Sequence, residues 1–103
     1  TNWVPMPGQR EDLPVMANML AMTGAHSNGM FVAAADRVGI ERNQPFLGRS
    51  LIVGPHGFPI AGPASAENEE LLVADVDLSE ARTARSLNAY NHILRDRRLD
   101  IYG

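Results

Sequence analysis

The sequence predicts an α/β fold: a mixed sheet of short strands with one long helix, one shorter helix and an extended C-terminal tail. Two apolar runs, Met30 to Ala35 and Ser50 to Val53, are bounded by Gly, Pro or polar turn residues. Short apolar runs of this kind are typical of buried strands. The stretch before them is rich in Met, Ala and Leu, which are good helix formers. Together these features indicate a helix packed on a sheet.

Composition narrows the class of protein. With 103 residues the chain forms one domain at most. The net charge of −3 argues against a nucleic-acid partner, which requires a basic surface. The chain has no Cys, which excludes disulfides, a cysteine zinc site and a cysteine nucleophile within it. No apolar run approaches the ~20 residues of a membrane span, and no signal-peptide pattern is present. A cytoplasmic protein without a membrane partner is therefore expected.

A loop and then the long helix open the chain. Pro5, Pro7 and Gly8 predict a loop up to Arg10. The helix is predicted over Val15 to Ala25, with Asp12 as a plausible N-cap. Asn28-Gly29 is a natural stop, because Gly accepts the left-handed conformation at a helix end. Its apolar composition predicts a largely buried helix.

More strand signals follow the central runs. His56-Gly57 predicts a hairpin-like turn leading into Phe58 to Ala61. The polar, acidic stretch from Pro63 to Glu70 predicts an exposed turn. Leu71 to Leu78 alternates apolar and acidic residues toward its end, which predicts a strand.

The C-terminal part predicts a short helix and a tail. Ser79 is the expected N-cap of the second helix, with Glu80 favourable in its first turn. The tail, Leu87 to Gly103, has scattered apolar residues without a clear period. One face of the predicted sheet has no helix to cover it, and small domains bury little surface. We therefore expect the chain to be part of a larger sandwich or to pair with another chain.

Three runs of residues carry a family resemblance. Asp36-Arg37-Val38-Gly39 is followed by Phe46-x-Gly48-x-Ser50-x-Ile52-x-x-Pro55-x-Gly57, and Asp96-Arg97-Arg98 with Tyr102 closes the chain. In this order they resemble the C-terminal portion of the nitrilase superfamily, the carbon–nitrogen hydrolases. The second run is the most specific. The resemblance covers residues 1–103 as the C-terminal portion of a carbon–nitrogen hydrolase domain, with the tail at 87–103.

The resemblance implies half of a four-layer α-β-β-α sandwich and a homo-oligomer, a dimer, formed through helix and tail. The family hydrolyses nitriles, amides or carbamoyl groups with a Cys nucleophile, a Lys and two Glu residues, all upstream of the segment that this chain resembles. No catalytic residue is therefore assigned here. The parent protein is expected to be an enzyme acting on a small amide or nitrile, and this segment alone is expected to be inactive. No cofactor and no metal are expected.

The remaining site residues are assigned as pocket wall and scaffold. The resemblance implies substrate-binding residues at Asn2 and Trp3. Arg37 is interpreted as a structural residue that ties its turn to a carboxylate or carbonyl. Ser50 lacks a G-x-S-x-G elbow, so a hydrogen-bonded hydroxyl is favoured over a nucleophile. The structural motif residues are Asp36, Arg37, Gly39, Phe46, Gly48 and Ser50.

Two other function classes stay open at this point. Thr1 is the first residue, which would suit an N-terminal-nucleophile hydrolase. A non-catalytic assembly module would use the uncovered sheet face and the tail. The sequence does not distinguish nitrile, amide and carbamoyl substrates.

Overall fold

The computed structural model describes residues 1–102, so Gly103, the last residue of the predicted tail, lies outside the described residues. Its helices are α1 (Met16–Asn28), α2 (Ser79–Ala84) and α3 (Leu99–Tyr102). Its strands are β1 (Val32–Ala34), β2 (Ile40–Glu41), β3 (Gln44–Pro45), β4 (Leu51–Val53) and β5 (Pro59–Ala61). The predicted combination of α-helix and short strands is present.

Helix α1 confirms the predicted long helix and corrects its start. The first helical N–H, that of Met16, donates to Oε1 of Gln9 at 3.1 Å. Asp12 does not cap the helix, because its carboxylate pairs with Arg10 two residues away. The predicted stop is present: Gly29 has φ of 54° and its N–H donates back into the last turn.

The sheet is antiparallel throughout the described residues, so the prediction of a mixed sheet is wrong. Its strand order is β1-β4-β5, and both pairings are antiparallel. For β4 and β5 the reason is the short connection at residues 54–58, since parallel neighbours need a crossover of a dozen or more residues. The predicted turn is confirmed: the Gly57 N–H donates to the Gly54 carbonyl at 2.9 Å, and the Gly54 N–H to the Phe58 carbonyl at 3.0 Å.

A second, two-stranded hairpin joins β2 and β3 and was not predicted. Arg42 and Asn43 form its two-residue loop, with φ of 50° and 64°. Tight hairpin loops favour this left-handed backbone. Neither residue is Gly, so the usual sequence signal of such a loop is missing.

The core lies between α1 and the first two strands of the sheet. Ala25 of α1 and Leu51 and Val53 of β4 are buried. Around them pack the partly buried residues Ala21, Met22, Val32 and Ala34. The side chain of Ile60 in β5 is 46% exposed. The helix therefore covers one face of the sheet.

Residues 71–78 do not form the predicted strand. Leu71 is 87% exposed and Val73 is 77% exposed. A strand requires a hydrogen-bonded neighbour, and the sheet ends at β5 without pairing to this segment. The predicted cap of α2 is wrong as well. Ser79 is the first helical residue, and its N–H donates to Oδ1 of Asp77 at 2.9 Å.

The C-terminal segment extends away from the core. The short helix α3 lies in the predicted tail and was not predicted. The radius of gyration is 16.2 Å, compared with about 13 Å for a compact chain of this length. Large apolar side chains of the segment are exposed, including Leu87, Tyr90, Leu99 and Ile101. The tail therefore buries little of its apolar surface within residues 1–102.

Candidate functional site

The carboxylate of Asp36 connects the first residues of the chain to the end of β1. Its Oδ1 accepts a hydrogen bond from the backbone N–H of Trp3 at 3.0 Å. The same oxygen accepts from the Thr1 hydroxyl at 2.8 Å. Its second oxygen, Oδ2, is buried and has no hydrogen-bond partner among residues 1–102. Asp36 thus holds the segment on both sides of Asn2.

Trp3 has a second anchor in the other motif. Its backbone carbonyl accepts from the Leu47 N–H at 3.1 Å. Leu47 lies inside the F-x-G-x-S run, so the two motif segments hold Trp3 from both sides of its backbone. The Trp3 side chain is half-buried, whereas Asn2 is exposed. The two residues expected to bind substrate therefore lie next to the motif residues in space.

Ser50 fixes the backbone of Asp36. Its hydroxyl accepts from the Asp36 N–H at 2.9 Å and donates to the Asp36 carbonyl at 3.1 Å. Both hydrogen bonds of this hydroxyl go to the backbone of Asp36, so its proton is already donated to a carbonyl. These contacts are those expected of a hydrogen-bonded hydroxyl and not of a nucleophile.

Arg37 contacts two residues of the neighbouring hairpin. Its guanidinium lies 2.5 Å from the Glu41 carboxylate. It also lies over the ring of Phe46, 4.4 Å from the centroid, in cation–π geometry. The structural interpretation of Arg37 expects such a carboxylate contact.

Gly48 is the tightest position of the motif. It is buried, has φ of 60°, and donates its N–H to the Arg37 carbonyl at 2.9 Å. A Cβ at this position would lie 2.6 Å from the Ser65 carbonyl oxygen and 2.8 Å from Cγ1 of Val38. Only Gly combines this backbone conformation with this space. Gly39 also has a positive φ, of 91°, but faces open space.

A polar cavity of about 340 Å³ lies beside Asp36 and Arg37. Its other wall is the acidic segment after β5, for which the sequence predicts only an exposed turn. The cavity-lining residues that the sequence did not single out are Val38, Ser65, Asn68, Glu69 and Glu70. The acidic run could have identified these residues as a group. Its sequence does not show that it folds back onto the motif.

An apolar groove of about 610 Å³ lies on the other side of Trp3. It runs between α1 and the free edge of β1. Its lining includes Trp3, Leu20, Ala21, Met30 and Val32. Asn18, which is 3% exposed, lies nearby in α1 and donates its side-chain N–H to the Arg49 carbonyl at 3.2 Å. The sequence analysis does not single out Asn18, although a lone Asn in an apolar helix is the signal that could have identified it.

The perturbed carboxylates lie away from this site. Hydrogen bonding to Ser79 lowers the pKa of Asp77, and the hydrogen bond from Arg95 lowers the pKa of Asp96. Within residues 1–102, no three His, Asp or Glu side chains are placed to hold a metal ion. None of the helices in that part of the chain is long and apolar enough to span a membrane. The site is thus a hydrogen-bonded scaffold with a polar cavity of about 340 Å³ beside it.

Comparisons with known proteins agree on one family. The family model described as carbon-nitrogen hydrolase matches residues 3–86. A protein described as a nitrilase, from Pyrococcus abyssi (strain GE5 / Orsay), is 41% identical over 78 residues, which are 76% of this chain and 29% of that protein.

The structural comparison agrees with the sequence comparison. The crystal structure of a carbon-nitrogen hydrolase from Helicobacter pylori G27 superposes with a TM-score of 0.70 and 33% identity. The match covers 82% of this chain and 30% of that one. The chain thus spans about a third of the length of the relatives that it matches. The chain belongs to the carbon–nitrogen hydrolase family, within the nitrilase superfamily.

Proposed function

We propose that this chain forms part of the substrate site of a hydrolase that cleaves non-peptide carbon–nitrogen bonds in amides, nitriles or carbamoyl compounds. The Cys, Glu and Lys residues of the family mechanism would come from polypeptide outside this chain, which contains neither Cys nor Lys. Asn2 and Trp3 would form part of the pocket wall. The whole protein would form a four-layer α-β-β-α sandwich, to which this chain would contribute the C-terminal portion.

One observation carries the proposal: the two motif segments converge on Trp3. Its N–H bonds to Asp36 and its carbonyl bonds to Leu47. Acyl transfer from nitrogen needs a substrate held within about 3–3.5 Å of the nucleophile in a fixed orientation. A chain without a nucleophile can contribute to such a reaction by forming a rigid pocket wall that fixes the position of the substrate.

The roles of the motif residues follow from their contacts. Asp36 and Ser50 would hold the pocket wall, and Arg37 with Phe46 would hold the adjoining hairpin. Gly39 and Gly48 would supply backbone conformations that other residues adopt at a cost. None of these residues is proposed to touch the reacting atoms.

Ammonia release from the whole protein tests the activity. The substrates are an aliphatic nitrile, a primary amide and an N-carbamoyl amino acid, since each yields ammonia on hydrolysis. Activity is expected on at least one of the three and is expected to be abolished by a thiol-alkylating reagent. If all three were untouched, or if alkylation left the rate unchanged, the proposal would be wrong.

An assembly role is the second candidate, and the exposed C-terminal segment favours it. Leu87, Leu99 and Ile101 of this segment are more than half exposed, and several exposed apolar residues in one segment mark a contact surface. We propose that this segment and α1 contact a second copy in a homo-oligomer. Light scattering of the whole protein at micromolar concentration is expected to give the molar mass of a dimer or a larger oligomer. The molar mass of a monomer would contradict this.

The contacts of Thr1 within residues 1–102 anchor the segment that it begins. Its hydroxyl donates to Oδ1 of Asp36 at 2.8 Å, and its α-ammonium donates to the Ala35 carbonyl at 2.6 Å, which is the geometry of an anchor for the chain. The alternative of an N-terminal-nucleophile hydrolase therefore gains no support from the fold.

A further inference from the structure

We infer that Asp36 is a positioning residue, whose carboxylate geometry holds Asn2 in place for the substrate. The inference rests on the proposed function, because it assigns Asn2 to the pocket wall. It goes further by naming the group through which the motif acts on the pocket.

The first step is the placement of the two hydrogen bonds. Oδ1 of Asp36 accepts from the residue before Asn2, through the Thr1 hydroxyl, and from the residue after it, through the Trp3 N–H. Two restraints, one on each neighbour of Asn2, hold the backbone from which its side chain projects. Asn2 itself is exposed and available to a ligand.

The second step is that Asp36 is itself held. The Ser50 hydroxyl bonds to both the N–H and the carbonyl of Asp36. The carboxylate therefore projects from a backbone that is fixed on both sides. Because this backbone is fixed, a shift of the Asp36 carboxylate oxygen by one methylene length would displace Asn2 and not the turn.

The contacts of the Asp36 carboxylate depend on the position of its oxygen and not on its charge. Within residues 1–102, the carboxylate accepts hydrogen bonds from a hydroxyl and a backbone N–H and forms no salt bridge. Oδ2 receives no hydrogen bond from those residues. An amide in place of the carboxylate keeps the accepting oxygen and replaces only the oxygen that lacks a donor. The position of Oδ1, and not the negative charge, should thus determine the activity.

Two variants of the whole protein distinguish these properties. Asp36→Asn keeps the geometry and removes the charge, whereas Asp36→Glu keeps the charge and moves the oxygen by one methylene. A 1 Å misplacement can cost about 100-fold in rate. We expect kcat/KM on the best substrate to fall at least ~10-fold in D36E and less than ~3-fold in D36N. Glu11→Ala is the control, an exposed carboxylate outside the motif contacts, and is expected to stay within ~2-fold of wild type.

A double-mutant cycle tests whether Asp36 acts through Asn2. If it does, D36E should cost little once Asn2→Ala has removed the side chain that it positions, because coupled residues are not additive. A purely structural role would lower activity by the same factor in both backgrounds. The cycle therefore has a readout that loss of stability alone does not move.

Each result of these measurements either supports or contradicts the role of Asp36. D36E impaired, D36N nearly intact and a non-additive cycle support the inference. D36E equal to wild type, D36N more impaired than D36E, or an additive cycle would overturn it. If D36E does not fold, the cycle is measured with Ser50→Ala, which frees the Asp36 backbone, and additivity with N2A has the same meaning. Wild-type protein without any hydrolase activity would instead count against the proposed function.

Discussion

Replacement of Gly48 by Ala is expected to be among the most damaging small substitutions in this chain. Gly48 has φ of 60°, and a Cβ would meet the Ser65 carbonyl oxygen at 2.6 Å and the Val38 side chain at 2.8 Å. A non-Gly residue in a sparsely populated backbone region costs about 1–3 kcal/mol. Forcing extra volume into a packed site adds about 1–3 kcal/mol. The Ser65 oxygen belongs to the backbone, so it cannot rotate away.

Gly39→Ala is the matched control. Gly39 lies in the same motif and also has a positive φ, of 91°, but a Cβ there would have no atom within 4 Å. The control therefore includes the backbone cost without the steric cost. The free energy of unfolding of G48A should be lower than that of G39A by about 1–3 kcal/mol.

Urea denaturation followed by circular dichroism measures both variants against wild type. The predicted order of midpoints is wild type, then G39A, then G48A. A G48A variant that does not fold while G39A does gives the same order. Equal midpoints for G48A and G39A would show that Ser65 and Val38 do not confine Gly48, and the packing described around the motif would be refuted.

Further predictions concern the core, the cation–π contact and the start of α2. Val53→Ala, at a fully buried position, should lower the free energy of unfolding by about 2 kcal/mol, whereas Val73→Ala should change it by less than about 0.5 kcal/mol; equal losses in urea denaturation would contradict the assigned core. Phe46→Leu removes the ring under the neighbouring guanidinium and should cost about 0.5–1 kcal/mol, which the same assay measures. Hydrogen bonding to Ser79 lowers the pKa of Asp77, so its contribution to stability is present above the pKa of the unfolded chain and is lost as the pH falls through the lower folded value. An NMR titration of the Asp77 carboxyl should therefore have its midpoint below about 3.9, and a midpoint at or above that value would be inconsistent with the bond.

The central part of the fold could be predicted because its signals are local. A run such as Leu51 to Val53, closed by Gly54 and Pro55, specifies a buried strand regardless of what surrounds it. The stop of α1 at Gly29 is equally local, since a left-handed residue is needed there. These elements agree with the structure.

The wrong predictions concern features that depend on a neighbouring part of the chain. Residues 71–78 alternate between apolar and acidic side chains, as a strand does. This pattern does not show whether a neighbouring strand is available for backbone hydrogen bonds, which a strand requires. Strand direction in the sheet depends likewise on connections, which the strand sequences do not contain. The capping errors have a shared cause. Asp12 and Ser79 are favourable cap residues, but the helices begin one or a few residues away, and Gln9 and Asp77 accept the bonds instead.

The candidate site was predictable in its residues but not in its connections. The motif identifies Asp36 and Ser50 as scaffold, whereas their direct hydrogen bonds join positions 14 residues apart. The bond from Trp3 to Asp36 spans 33 residues. Contacts at this separation follow from the folded topology and have no local signal.

The most direct test of the central claim is a crystal structure of the whole protein with a slowly hydrolysed amide bound. The account predicts that the amide lies against the segment held by Asp36, with the Asn2 side chain or the Trp3 backbone about 3 Å from a polar atom of the ligand. A ligand bound at a site remote from Asn2 and Trp3 would contradict the claim that this segment forms the wall of the substrate pocket.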